Sequence, residues 1–170
     1  RPGGGVAGRA TRARLCGANM VGANLSNANF EEADLSNARL DGAILQESDF
    51  CEADLTGCSA QAATLAAVDF EGACLRRVNF TGSMLCGTDL AGADATDANF
   101  TQANLANARL ERTQLARAVL TGASFDGTFL EGALLEGAIY DPGAFAKAVT
   151  DQKKPKGVFA SLREALRTKK

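Results

Sequence analysis

Residues 22–37 read GANLSNANFEEADLSN. After Gly22 the stretch is Ala-Asn-Leu-Ser-Asn, Ala-Asn-Phe-Glu-Glu, Ala-Asp-Leu-Ser-Asn, one pentad written three times. Carried outward, the pentad accounts for most of the chain. A large apolar residue falls at every fifth position through Leu15, Met20, Leu25, Phe30, Leu35, Leu40, Leu45 and Phe50. The series continues in frame to Tyr140, with only Ala60 and Ala95 smaller. Two residues before each large residue stands a small one, as at Ala18, Ala23, Ala28, Ala33, Ala38, Ala43, Ser48 and Ala53. From Leu15 to Tyr140 the frame holds for 26 pentads.

A period of five fits neither regular element, since a helix repeats its face every 3.6 residues and a strand every 2. Within a pentad, however, the small and large residues are two apart and face the same side of a short extended segment. The polar residue between them (Asn24, Asn29, Asp34, Asp49, Asp54) faces the other way. The remaining two residues must turn a corner. The second of them is Gly or Asn at 15 of 25 corners, Gly22, Gly42, Asn27 and Asn37 among them. Such residues supply the positive φ of a type II turn. The other corners, such as Glu32, Glu52, Arg77 and Asp97, are expected to use a different turn. A short side and a sharp corner close after four repeats, so one coil takes about twenty residues and successive coils stack at strand spacing.

At these residues the chain resembles the pentapeptide-repeat family, whose motif is Ala-(Asp/Asn)-(Leu/Phe)-x-x, over roughly residues 11 to 140. The resemblance implies an all-β solenoid, a right-handed quadrilateral β-helix, here of about 6.5 coils from 26 pentads. Each coil of a solenoid touches only its neighbours. The organisation expected is an N-terminal flexible arm (1–10), the β-helix (11–140) and a C-terminal helical segment (141–170).

The chain of 170 residues has neither Trp nor His and is rich in Ala and Gly, as a narrow interior requires. No apolar run is long enough to span a membrane. Residues 1–14 (RPGGGVAGRATRAR) are Gly-rich, basic and free of acidic residues. That is the composition either of the end of a removed targeting peptide or of a flexible arm. Cysteines bridging stacked coils would be about twenty apart. No pair among Cys16, Cys51, Cys58, Cys74 and Cys86 has that separation, so free thiols are expected, with Cys58 as core filler. With no His and no Cys-x-x-Cys, no metal centre is expected.

Residues twenty apart define the stacked interior columns, one of them Phe30, Phe50, Phe70, Leu90, Leu110, Leu130. At about 4.8 Å per coil the rod is on the order of 31 Å long. Outside, residues 11–140 hold 17 Asp and Glu against 8 Arg, a net −9, while residues 141–170 carry +5. Asp49, Asp69 and Asp89 stack on one side, with Glu31, Glu32, Glu52 and Glu71 at its corner. The adjoining side carries Asp34, Asp54 and Asp94. Such an acidic face is a solvated surface, a dock for a basic partner or an imitation of duplex phosphate. Arg76, Arg77, Arg109, Arg112 and Arg117 break it up in later coils. Arg77, Asp97 and Arg117 form an alternating charge ladder in one corner column.

A second surface is apolar where the repeat is normally polar: Ile44, Thr64 and Met84 stack outward, with Ala66, Ala67 and Cys86 at the turn. The strip reads as a partner contact or as ground covered by the chain's own ends. Outward positions also turn apolar near the end of the rod, at Val119, Phe129, Leu134 and Ile139. Asp141-Pro142 reads as an N-cap and first-turn proline, so a short helix is expected over Ala144–Val149. After a basic linker, VFASLREALRTKK puts Val158, Phe159, Leu162 and Leu166 on one helical face. That face suits a cap over the rod, a partner-binding helix or a homodimer contact.

No acid–base pair, activated nucleophile or phosphate loop is present in the sequence, and no catalytic residue or cofactor is expected. The expected role is non-enzymatic: a protein–protein interaction or scaffolding module, with no direct nucleic acid binding. From the family's occurrence, an accessory subunit of a larger organellar or photosynthetic assembly is the particular role expected, in the chloroplast or thylakoid lumen rather than the bacterial cytoplasm. The rival, also implied by the resemblance, is an acidic DNA mimic that binds DNA gyrase or another topoisomerase.

Overall fold

Every pentad builds the same unit. The amide of each small inward residue donates to the carbonyl of the preceding large one, as in Ala18 N to Leu15 O at 2.9 Å and Ala43 N to Leu40 O at 2.9 Å. This closes a four-residue turn. Coil-to-coil bonds then run in register at a spacing of twenty. Asp34 N donates to Ala13 O, and Leu15 N donates to Asp34 O. The resulting parallel bridges pair Arg14 with Asp34, Asp34 with Asp54, and so on through the molecule. The computed structural model describes residues 10–149, and over these the chain is a four-sided β-helix.

Four outward columns follow. Face 1 runs Arg14, Asp34, Asp54, Cys74, Asp94, Gln114, Leu134. Face 2 runs Asn19, Arg39, Ser59, Asn79, Asn99, Val119, Ile139. Face 3 runs Asn24, Ile44, Thr64, Met84, Asn104, Ser124. Face 4 runs Asn29, Asp49, Asp69, Asp89, Arg109, Phe129, Val149.

Inside, the predicted columns stand. Phe30, Phe50 and Phe70 stack with ring centroids 4.8 and 5.3 Å apart, and Phe80 stacks on Phe100 at 5.3 Å. Phe70 and Phe80 meet edge-on across the interior at 6.0 Å. Five inward positions hold hydroxyls instead of Ala or Val: Ser48, Ser83, Thr88, Thr113 and Thr128. Each donates to a carbonyl, Thr88 to Leu85 O and Thr128 to Leu105 O, both at 2.8 Å. A buried hydroxyl without such a partner would be costly.

The corners correct one expectation. Glu32, Glu52, Arg77 and Asp97 do not use a different turn; their φ values are 55°, 56°, 57° and 59°. Every fifth residue from Arg12 to Gly137 has positive φ, whatever its type. The reason lies in the stack. From Arg12 to Arg117 each corner amide donates to a carbonyl of the coil above, as Glu32 N does to Cys51 O at 2.9 Å and Asp97 N to Ala116 O at 2.9 Å. A corner with another φ would aim its amide elsewhere and break its column. The left-handed conformation costs a non-glycine residue roughly 1–2 kcal/mol, which the cooperative ladder offsets.

The second correction concerns Ala144–Val149, which form no helix. The bonds here span three residues, Ala146 N to Gly143 O at 2.9 Å and Ala148 N to Phe145 O at 3.1 Å. Asp141 caps nothing of its own: its Oδ2 accepts from Gly122 N at 2.6 Å, in the corner of the coil below. Gly127 N reaches Lys147 O at 3.0 Å, and Val149 N reaches Thr128 O at 2.8 Å. The segment is therefore an irregular last turn of the solenoid. It places Phe145 over Phe125, with centroids 4.7 Å apart, and beside Tyr140 at 5.0 Å. The expected helical face of Val158, Phe159, Leu162 and Leu166, and all but Ala10 of the expected arm at residues 1–10, lie outside the described residues.

Candidate functional site

The outward Asn and Asp have a structural task that the sequence pattern alone does not reveal. Their side-chain oxygen accepts the amide two residues on, at the corner. Asp49 Oδ1 takes Cys51 N at 2.9 Å, Asp69 Oδ1 takes Glu71 N at 2.9 Å and Asn99 Oδ1 takes Thr101 N at 2.9 Å. Asn and Asp are the side chains that cap a turn in this way. Much of the acidity of faces 1 and 4 is therefore built into the fold.

Face 3 departs from that rule. Ile44 and Met84 have no carbonyl oxygen to offer the corner, and Thr64 makes no such bond among the described residues. The three stack as direct bridge partners. Ile44 is 40 % exposed and Met84 51 %, while Thr64 is half-buried. Ala66 and Cys86 are half-buried beside them, and Ala67 is exposed. The structure thus brings Ile44, Thr64 and Met84 together in one uncharged column, bordered below by Asn24 and above by Asn104, with Glu47 at the adjoining corner.

Faces 4 and 1 bring the acidic candidates together as two adjoining columns, Asp49-Asp69-Asp89 and Asp34-Asp54. Asp69, Glu71 and Asp89 present one carboxylate oxygen each within 4.8 Å of one another. These three are the described residues best arranged to hold a hard divalent cation, which takes oxygen ligands. Arg109 already supplies positive charge there, hydrogen-bonding Asp89 and lying 3.5 Å from Glu111. The negative potential of the face reaches Cys51: burial first, and then Asp69, Asp49, Glu52 and Glu71, push its thiol up. On face 1, two hydrogen bonds from Ser36 hold the Asp34 carboxyl below the usual carboxylate range.

Ion pairs clip one coil to the next. Arg117 grips Asp97 through two bonds of 2.7 Å, and Arg12 grips Glu32 at 2.7 and 2.9 Å. The Arg117–Asp97 clip is the corner ladder that the sequence spacing shows, and Arg12–Glu32 is a second clip at the same separation of twenty that the charge pattern alone does not single out. Arg76 reaches Asp94 at 2.7 Å. All five cysteines are free, with Cys58 buried and Cys16 exposed. Among the described residues no helix is long and apolar enough to cross a membrane.

The family model for pentapeptide repeats matches the chain in overlapping copies from residue 11 to residue 137. The chain belongs to the pentapeptide-repeat family. No curated protein gives a significant match. Among solved structures it is similar to HetL, a pentapeptide repeat protein involved in heterocyst differentiation regulation from Nostoc sp. strain PCC 7120. The identity there is 23%, over 88% of this chain and 92% of that one, with a TM-score of 0.38. It is also similar to full-length QnrB1, a plasmid-mediated fluoroquinolone resistance protein, at 17% identity over 90% and 86% of the two chains and a TM-score of 0.42. A pentapeptide repeat protein of the Arabidopsis thaliana thylakoid lumen is 24% identical over 67% of this chain and 69% of its own, with a TM-score of 0.27. The names of these relatives describe different roles.

Proposed function

We propose that this pentapeptide-repeat protein is a non-enzymatic interaction module that holds a protein partner on face 3. One observation carries the reading. Over three successive coils the chain gives up the turn-capping Asn or Asp in favour of Ile44, Thr64 and Met84, leaving two large apolar side chains in water. Exposing them forgoes roughly 1.5–3 kcal/mol each relative to burial. Neither loss helps the solenoid, and a flat strip of this kind is what a partner's apolar side chains cover. Service as an accessory subunit of a larger organellar assembly is the finer form of this reading.

The test restores the fold's own preference. Ile44→Asn and Met84→Asn should leave thermal stability unchanged or raise it, because each returns a turn cap. The double variant used as bait in an extract of the source organism should lose the protein that the wild type retains in stoichiometric amount. Retention of that protein by the double variant overturns the assignment. The acidic columns of faces 4 and 1 support the second reading, a mimic of DNA charge directed at gyrase. It requires inhibition in a gyrase supercoiling assay that Asp49→Asn, Asp69→Asn and Asp89→Asn together abolish.

A further inference from the structure

The corner between faces 4 and 1 holds a surface with a different character from the strip, and its reading stands independently of it. Val149 hydrogen-bonds at the top of face 4 and pairs with Phe129, so the described residues end on this face. Phe129 and Val149 are 41 % and 43 % exposed. With Glu111 and Glu131 they line a recess of about 210 Å³. Below it, Glu71, Arg109, Glu111 and Glu131 line a larger one of about 450 Å³. Glu111 Oε2 is shielded from water yet receives no hydrogen bond among the described residues. An acceptor in that position calls for a donor.

We propose that the occupant is this chain's own segment Lys153–Phe159, laid back along the corner. The sequence after Val149 is TDQKKPKGVF: three lysines, then Val158 and Phe159. An extended chain advances roughly 3.3–3.6 Å per residue, so Lys153, four residues on, reaches about 13 Å from Val149. Glu111 lies one coil below Glu131 in the same corner column, and coils repeat every 4.8 Å or so. The lysines are therefore within reach of both carboxylates, and Val158 and Phe159 match the Phe129–Val149 floor. The rod carries the negative charge and the segment the positive, so the attraction is salt-sensitive.

Zero-length carbodiimide cross-linking of the full chain, mapped by mass spectrometry, tests this directly. Equal parts of unlabelled and ¹⁵N-labelled protein distinguish bonds within a chain from bonds between chains. The expected result is same-chain links from Lys153, Lys154 or Lys156 to Glu111 or Glu131, lost in high salt. Glu111→Gln with Glu131→Gln should lose them too, while the circular dichroism spectrum stays unchanged. Phe129→Ser, which leaves both carboxylates in place, should weaken the same links. Mixed-isotope links would assign the corner to a second copy, and links scattered evenly over Asp34, Asp54 and the other carboxylates would mean no defined site. Either outcome overturns the proposal.

Discussion

At Cys58 the thiol occupies an inward alanine position, and burial, assisted by Asp41, pushes its pKa up from 9.0 to about 12. Between those values the folded thiol keeps a proton that the unfolded chain releases. Its contribution to stability is therefore complete below about pH 9 and is lost as pH rises toward 12. Cys58→Ala should flatten that decline, which the urea midpoint followed from about pH 8 to 11 will show. A neighbouring pair tests the corners. Ala67 has a φ of 55°, whereas Ala66 has no positive φ. Ala67→Gly should stabilise the protein by roughly 0.5 kcal/mol, since relief of left-handed strain exceeds the added freedom of the unfolded chain. Ala66→Gly should cost about 0.4–1 kcal/mol, so chemical denaturation should move in opposite directions for adjacent residues. The strain at Ala67, Glu32 or Arg77 could not be read from the sequence. The residue types there carry no preference for positive φ, and the demand comes from an amide that must meet a carbonyl nineteen residues away.

The coil was the legible element. Phe30, Phe50 and Phe70 stack where the spacing put them because the period of five divides the coil of twenty without remainder. Phe70 touches Phe50 and Phe80 with no solvent exposure, and Phe70→Ala should cost about 3–5 kcal/mol. In a solenoid the damage spreads only to neighbours. Hydrogen exchange should therefore rise first in the coils that hold Phe50 and Leu90 and little near Leu15. Over Ala144–Val149 the sequence points to a helix that does not form, because Asp-Pro followed by alanines is a valid local signal for a helix start. Capture of Asp141 by Gly122 N and stacking of Phe145 on Phe125 are contacts to the coil below, and they prevailed over local preference. The candidate strip was legible for the same reason as the core. The turn-capping role of Asn and Asp, which gives the strip its meaning, needed the hydrogen bonds.

As a whole the rod is held together across coils by bonds that include carboxylates. Arg117 and Arg12 hold Asp97 and Glu32 below their ordinary pKa, chiefly by hydrogen bonding. The stability they lend is present above the unfolded carboxylate range near pH 4 and disappears as pH falls through the lower folded values. The thermal midpoint should therefore drop in acid, and Arg117→Met should make the drop shallower. The four-residue corner, repeated at a fixed interval from Arg12 to Gly137, also dictates how this molecule can change its length. Losing residues 51–55 would keep every remaining turn and inward side chain in frame, yet rotate all later outward residues by a quarter revolution. Asp69 would then sit above Ile44 and plant a carboxylate where Thr64 now stands. Losing residues 51–70 would shorten the rod by one storey and leave every wall aligned. Insertions and deletions that spare its surfaces are thus quantised in whole storeys, and a surviving quarter-storey change would mark a protein whose contact wall has moved.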